Sequence, residues 1–302
     1  MGMLEGKVAI VTGGGRGLGR AHCLALAAVG ATVVVNDIGA GLHGEPGKES
    51  PADDVVREIT AAGGSATANG TSVTDWAGVE DLVRSTVEQF GHLDIVVNNA
   101  GIVRDRMLFS MSEEDFDAVI DVHLKGTFVL TRHACAYWRE ASKAGKAVSG
   151  RIINTTSGTG LFGNVGQGNY GAAKAGIVSL TTITALEMAR YGVTANAVSP
   201  IAATRMTEGV GSVQADVRAD GFDPRDPANT SGVVAYLASD EAAWLTGQVV
   251  RVDGDKFQRL TGWAIEGEYS SSDGRALVPE ELVTAVPRIS GAPPRGRAFH
   301  RS

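Results

Sequence analysis

Only two cysteines occur among the 302 residues, Cys23 and Cys135, far apart and in no Cys-x-x-Cys spacing. Such a pair offers neither a disulfide framework nor the ligand spacing of a structural zinc site, and the six histidines form no His-x-x-x-His or Cys/His cluster. No metal is expected. Basic charge is also short: 27 lysines and arginines stand against 34 acids, a net charge of −7. That balance lacks the cationic surplus that replaces counterions on a phosphate backbone, and no basic surface interleaved with aromatics compensates for it, so nucleic acid is not an expected partner. Uninterrupted apolar runs of membrane-spanning length are missing too, and Met1 to Lys7 leads straight into a strand-like run without a basic segment and long apolar stretch. The expectation is a cytoplasmic protein with no membrane partner.

What the chain does have is glycine, 40 residues of it, in a sequence that is otherwise 43% hydrophobic and 20% charged. The excess over ordinary usage points to many tight backbone approaches. Short β-branched runs alternate with longer helical patterns: 7–11 with 18–29, 32–36 with 52–62, 93–98 with 113–141, then 151–155, 169–190, 193–198 and 248–252. This alternation predicts a doubly wound α/β fold, with about seven parallel strands covered by helices on both faces, because right-handed crossovers bury each strand twice. Residues 1–254 are read as one dinucleotide-binding catalytic domain and 255–302 as a C-terminal extension.

Three segments break the rhythm. Gly39 to Pro51 is glycine-rich and longer than the 2–6 residues usual for such loops, which places it near the adenosine end of a cofactor. Ala202 to Pro227 has few periodic apolar positions and reads as a cover over a pocket, with Met206, Val210 and Val213 as its apolar wall. From Asp255 the pattern dissolves among prolines and a basic end, a tail expected to pack on a neighbouring subunit or to be partly disordered. Within that tail Trp263, Ile265 and Tyr269 are candidates to close a pocket.

Directly after the first strand comes Thr12-Gly13-Gly14-Gly15-Arg16-Gly17-Leu18-Gly19, with a helical pattern behind it. Glycines let the backbone turn and approach a pyrophosphate, whose charge is favoured by unpaired amides and the positive end of the helix dipole. Asp37 follows the second strand about 20 residues later, where a carboxylate can accept from the adenosine ribose hydroxyls. A 2′-phosphate there would meet like charge and no basic residue at 38–42, which favours NAD. Arg16 argues the other way, since a guanidinium can hold a 2′-phosphate.

Tyr170-Gly171-Ala172-Ala173-Lys174 sets a phenol and an amine four residues apart at the beginning of a helical stretch, on one face. A free phenol with a pKa of ~10 is a poor base near neutrality, but a nearby ammonium and a cationic nicotinamide both favour phenolate. Ser157 stands thirteen residues before Tyr170, just past the strand 151–155, at the sheet edge where open α/β folds bind ligands. Its hydroxyl could hold a substrate oxygen in line for proton transfer, or simply cap a turn.

The glycine segment, Asn98-Asn99-Ala100-Gly101, Ser157, Tyr170 with Lys174, and Thr246-Gly247-Gln248 together resemble the short-chain dehydrogenase/reductase superfamily over residues 5–254. More narrowly, 34–37, 99–106, Val122-His123-Leu124-Lys125-Gly126 and 163–170 look like the (3R)-hydroxyacyl-CoA dehydrogenase module of multifunctional enzyme type 2 and its actinobacterial relatives. The resemblance implies that Asn98 to Gly101, including Asn99 and Ala100, support the adenine and central part of the cofactor. It also implies that Ser72 and Val73 flank the adenine, and that Pro200, Ile201 and Thr204 hold the carboxamide. Tyr170 and Lys174 are expected to contact the nicotinamide ribose region. An acid usually stands where this chain has Ser72, an asparagine where it has His123, and glycine where it has Ile201. At His123 the expected relay runs through the main-chain carbonyl, while the ring is either locally satisfied or titrating.

The implied reaction is hydride exchange between NAD and a secondary alcohol or ketone, on a 3-hydroxyacyl-CoA or a bulky hydroxysteroid. An NADPH-dependent 3-oxoacyl reductase is the competing enzyme, and a dinucleotide-sensing scaffold is the reading outside catalysis. A homo-oligomer, dimer or tetramer, is implied through the helical stretches at 113–141 and 169–190.

Overall fold

The computed structural model describes residues 2–45, 50–203, 217–262, 265, 267–271 and 276–290. Thr204, Met206, Val210, Val213 and Trp263 therefore lie outside the described residues. The chain divides into two units, Met1–Leu260 and Thr261–Ser302.

In the first unit, β1 (Val8–Thr12), β2 (Thr32–Asn36), β3 (Ser65–Asn69), β4 (Ile95–Asn98), β5 (Arg151–Thr155), β6 (Thr194–Ile201), β7 (Val249–Asp253) and β8 (Lys256–Leu260) form one sheet in the order β3-β2-β1-β4-β5-β6-β7-β8. The first seven are parallel and β8 runs antiparallel to β7. The helices are α1 (Gly17–Ala28), α2 (Pro51–Ala61), α3 (Trp76–Phe90), α4 (Glu113–Ile120), α5 (Gly126–Lys143), α6 (Gly158–Phe162), α7 (Gly168–Met188) and α8 (Ala228–Ala238). The second unit contains α9 (Pro279–Ser290), with Pro287 inside it.

Strand alternation divides the interior into two cores. Ala9, Val11, Ile95, Val97 and Ile153 face α1, α2 and α8, while Ile10, Val96 and Ile152 face α3, α5 and α7. All five β1 residues are buried, as the apolar run Val8 to Val11 requires.

Beyond β3, whose small and partly exposed residues give no strand signal, two differences from the sequence reading have physical causes. The eighth strand comes from a hairpin in which Gly254 adopts a left-handed φ of 58°, and β8 pairs Lys256 with Asp253. Because β8 is largely exposed, it carries no buried alternation to betray it. The helix expected over 113–141 is interrupted by a π turn at Asp121–Lys125, which separates α4 from α5. Among the described residues no helix is long and apolar enough to cross a membrane, and no group of three His, Cys, Asp or Glu could hold a metal ion.

Candidate active site

The order β2-β1-β4-β5-β6 brings the carboxyl ends of these strands side by side, and the loops that leave them build the site. After β1 the backbone turns at Gly13 with φ +62°, a conformation natural to glycine. Helix α1 then starts without a side-chain cap and without an acid in its first turn, so its leading amides face an approaching anion without a carboxylate competitor. A Cβ on Gly19 would press into the Gly13 carbonyl and the Asn99 amide. This close fit leaves room for the backbone alone, the geometry a pyrophosphate cradle needs.

The cradle is braced from β4. Thr12 Oγ1 accepts from the amides of Asn99 at 3.0 Å and Ala100 at 3.1 Å, and Asn99 Nδ2 donates to the carbonyls of Thr12 and Gly13 at 3.0 and 3.1 Å. Asp37 is similarly engaged. Its Oδ2 accepts from Gly15 N at 2.9 Å and its Oδ1 from Gly39 N at 2.8 Å, which fixes the carboxylate beside the cradle and leaves further lone pairs for a ribose. Arg16 Nη1 donates to Ala40 O at 3.4 Å.

A cavity of about 470 Å³ joins these parts. Gly13, Arg16, Gly17, Leu18 and Gly19 form one wall, Asp37 with Ser72 and Val73 a second, and Asn99, Ala100 and Gly101 a third. Tyr170, Lys174, Pro200 and Ile201 are not part of that lining. Pro200 and Ile201 end β6, paired with Val252 and Asp253 of β7.

The reacting groups sit at the ends of β5 and α7. Ser157 caps α6, accepting from Thr159 N at 3.2 Å, and its hydroxyl stands close enough to the Tyr170 phenol to lower the phenol's pKa. Capping and substrate alignment are thus compatible in one side chain. One helical turn on, Lys174 Nζ lies 5.6 Å from the Tyr170 ring centroid and donates to Thr155 O at 2.7 Å. Burial lowers the Lys174 pKa to about 7. For Tyr170, burial raises the pKa; the neighbouring Ser157 hydroxyl lowers it and the Asp105 charge raises it. Burial therefore favours the neutral phenol in the cofactor-free protein, and a bound nicotinamidium would add a field that opposes it.

The His123 ring is buried within the π turn. It meets Tyr170 edge to face at 5.1 Å, and its Nε2 lies 2.7 Å from Ile102 O and 3.1 Å from Ile102 N. Burial and the Lys174 charge hold its pKa well below the ordinary value, so the ring is a neutral brace between Gly101 and Tyr170 rather than a titrating group near neutrality.

Asn169 and Asn154 are buried polar residues that sequence reasoning does not single out. Asn169 is fully buried; its Nδ2 donates to Arg104 O at 3.0 Å and Asp115 O at 2.9 Å, and its Oδ1 accepts from Tyr170 N at 2.7 Å. Beneath the site, Asn98 Nδ2 donates to Asn154 Oδ1 and Asn154 Nδ2 to Thr181 Oγ1, each at 2.8 Å, linking β4 and β5 to α7. Buried asparagines at strand ends are the available signal, but their partners are distant in sequence.

With this arrangement in view, the family profile for short chain dehydrogenase matches residues 7–215. The chain belongs to the short-chain dehydrogenase family. It is similar to the hydroxyacyl-CoA dehydrogenase ChsB1 of Mycobacterium tuberculosis, at 48% identity over 289 residues, 94% of this chain and 88% of that protein. Peroxisomal multifunctional enzyme type 2 of Drosophila melanogaster is 41% identical over 275 residues, 91% of this chain but 42% of that longer protein. A crystal structure of a short chain dehydrogenase from Mycobacterium avium shares 55% identity and a TM-score of 0.85, covering 96% of both chains. As a short-chain dehydrogenase the protein is an oxidoreductase of nicotinamide dinucleotide, and the narrow cradle at Gly13 and Gly19 fits that cofactor.

Proposed function

We propose that this short-chain dehydrogenase oxidises the secondary alcohol of a 3-hydroxyacyl-CoA with NAD. The observation that carries the chemistry is the Ser157 hydroxyl placed beside the Tyr170 phenol, whose pKa it lowers, with Lys174 one turn away, at the sheet edge that also holds the glycine cradle. The substrate class rests on likeness to a protein named hydroxyacyl-CoA dehydrogenase over 94% of this chain.

Ser157 and Tyr170 hold the substrate oxygen between them. Tyr170 accepts the hydroxyl proton at its phenolic oxygen, and Lys174, held by Thr155 O, supplies a nearby ammonium that favours the phenolate. Bound NAD supplies the acceptor for the carbinol hydride. Asn99 to Gly101 hold the central part of the cofactor, Ser72 and Val73 flank its adenine, and Pro200 with Ile201 meets its carboxamide. Self-association is part of the proposal, through α5 and α7, on which Phe128, Ile183 and Leu186 are exposed.

Asp37 supports NAD over NADP. Its carboxylate, tied to Gly15 and Gly39, cannot easily swing away from a 2′-phosphate. Arg16, leaning toward Ala40, favours the opposite reading, an NADPH-dependent 3-oxoacyl reductase. Fluorescence titration decides between them: NADH is expected to bind about tenfold or more tightly than NADPH, the consequence of like charge at Asp37. Equal or tighter binding of NADPH would reverse the assignment.

A further inference from the structure

The loop that leaves β2 does not return directly to α2. It first crosses the cofactor cavity. In the sheet β1 separates β2 from β4, yet Leu42, His43 and Gly44 reach the segment that follows β4. Val103 N donates to Leu42 O at 3.2 Å, Arg104 Nε donates to His43 O at 3.1 Å, and His43 Nδ1 lies 2.8 Å from Val103 O. Because a carbonyl only accepts, this ring nitrogen carries the proton and donates. At its near end the loop is held by Asp37 Oδ1, which accepts from Gly39 N, and by Arg16, which donates to Ala40 O. Gly41 N donates to Glu45 O at 2.8 Å and His43 N to Glu45 Oε2 at 3.0 Å, so the strap has its own internal bracing.

Ala40, Leu42 and Gly44 line the same cavity as Gly13 and Asn99. The strap therefore runs over the place where the dinucleotide is read to lie, and a ligand seated beneath it leaves past the contacts with Val103 and Arg104. We propose that His43 is a positioning residue that latches this strap over the bound dinucleotide, slowing cofactor release and raising affinity without taking part in hydride or proton transfer. The proposal rests on the cavity being the dinucleotide site. The His43 side chain is exposed although its bond to Val103 is part-buried, so the latch opens into water, where a lost hydrogen bond is replaced. A modest kinetic effect follows, rather than a collapse of the fold.

NADH binding and stopped-flow release, measured on the full chain as wild type, His43→Ala and His43→Asn, test this. In His43→Ala the NADH dissociation constant is expected to rise about three- to tenfold, chiefly through faster release, the scale of one hydrogen bond. Turnover at saturating NAD is not reduced, and KM for NAD rises. His43→Asn, whose amide nitrogen occupies the place of Nδ1 and can donate to Val103 O, recovers most of the loss. Unchanged NADH affinity and release in His43→Ala would overturn the latch while leaving the cofactor reading intact. Reduced turnover with unchanged affinity would overturn it as well, by placing His43 in the chemistry. If the wild type bound no NADH, both the cofactor reading and the latch would fall.

Discussion

Tyr170→Phe is expected to lower turnover of a 3-hydroxyacyl-CoA by about 10²- to 10⁴-fold, the range that positioned proton transfer contributes. NADH affinity should change little, because the substitution removes one oxygen and keeps the ring. That ring packs edge to face on His123, and the backbone amide of residue 170 is held by Asn169, so neither contact depends on the hydroxyl. What disappears is the phenolic oxygen that stands beside Ser157. The expected kinetic pattern is loss of kcat with the dinucleotide dissociation constant preserved, since the oxygen acts on the transition state rather than on cofactor binding. Full activity in this variant, with a demonstrated alcohol substrate, would remove Tyr170 from the mechanism.

Lys174→Met should be nearly as damaging to turnover and should also carry a pH signature in stability. Methionine keeps the apolar stem and removes the ammonium, so the phenol loses the cation that favours its ionisation, and Thr155 O loses its donor. Burial has lowered the lysine pKa from 10.5 to about 7. Between those values the unfolded chain binds more protons at this position than the folded one, so folding stability rises with pH across that window. Below pH 7 the native state bears the full cost of burying the charge. The stability difference between wild type and Lys174→Met is therefore expected to move in favour of wild type as pH rises from about 7 toward 10.5. Chemical denaturation of the cofactor-free protein at a series of pH values measures it. A difference that stays flat or moves the other way would mean that the amine is not desolvated.

How much of this was readable from the residues depends on how local each signal is. Gly13 to Gly19, Asp37, and Ser157 with Tyr170 and Lys174 are each placed by a strand end and the helix behind it. Periodicity and turn chemistry therefore locate them in the sequence, and the sheet order does the rest. The cradle wall from Asn99 to Gly101 came through resemblance, but the reason it works, Thr12 receiving two amides from it, is a contact between β1 and β4 that no local pattern encodes. The same limit hid Asn169, whose partners Arg104 and Asp115 lie far upstream. The strand Ser65–Asn69 is small, polar and partly exposed, so it lacked an apolar signature, and β8 lacked one for the same reason. The π turn was invisible because a single added residue does not interrupt the apolar face that marks α4 and α5 as helical. His123 illustrates a different limit. Sequence alone leaves its ring either satisfied or titrating; burial and the Lys174 charge lower its pKa, and its Nε2 sits against Ile102.

The central claim is direct hydride transfer from the carbinol carbon of a 3-hydroxyacyl-CoA to NAD at the Tyr170 site. A single-turnover reaction with substrate deuterated at C3 tests it most directly, by mass spectrometry of the reduced dinucleotide. The account predicts that the label arrives in NADH in step with ketone formation, and that Tyr170→Phe binds NAD but transfers none on the same timescale. Unlabelled NADH, or a protein that binds the dinucleotide and leaves the label on carbon, would contradict it.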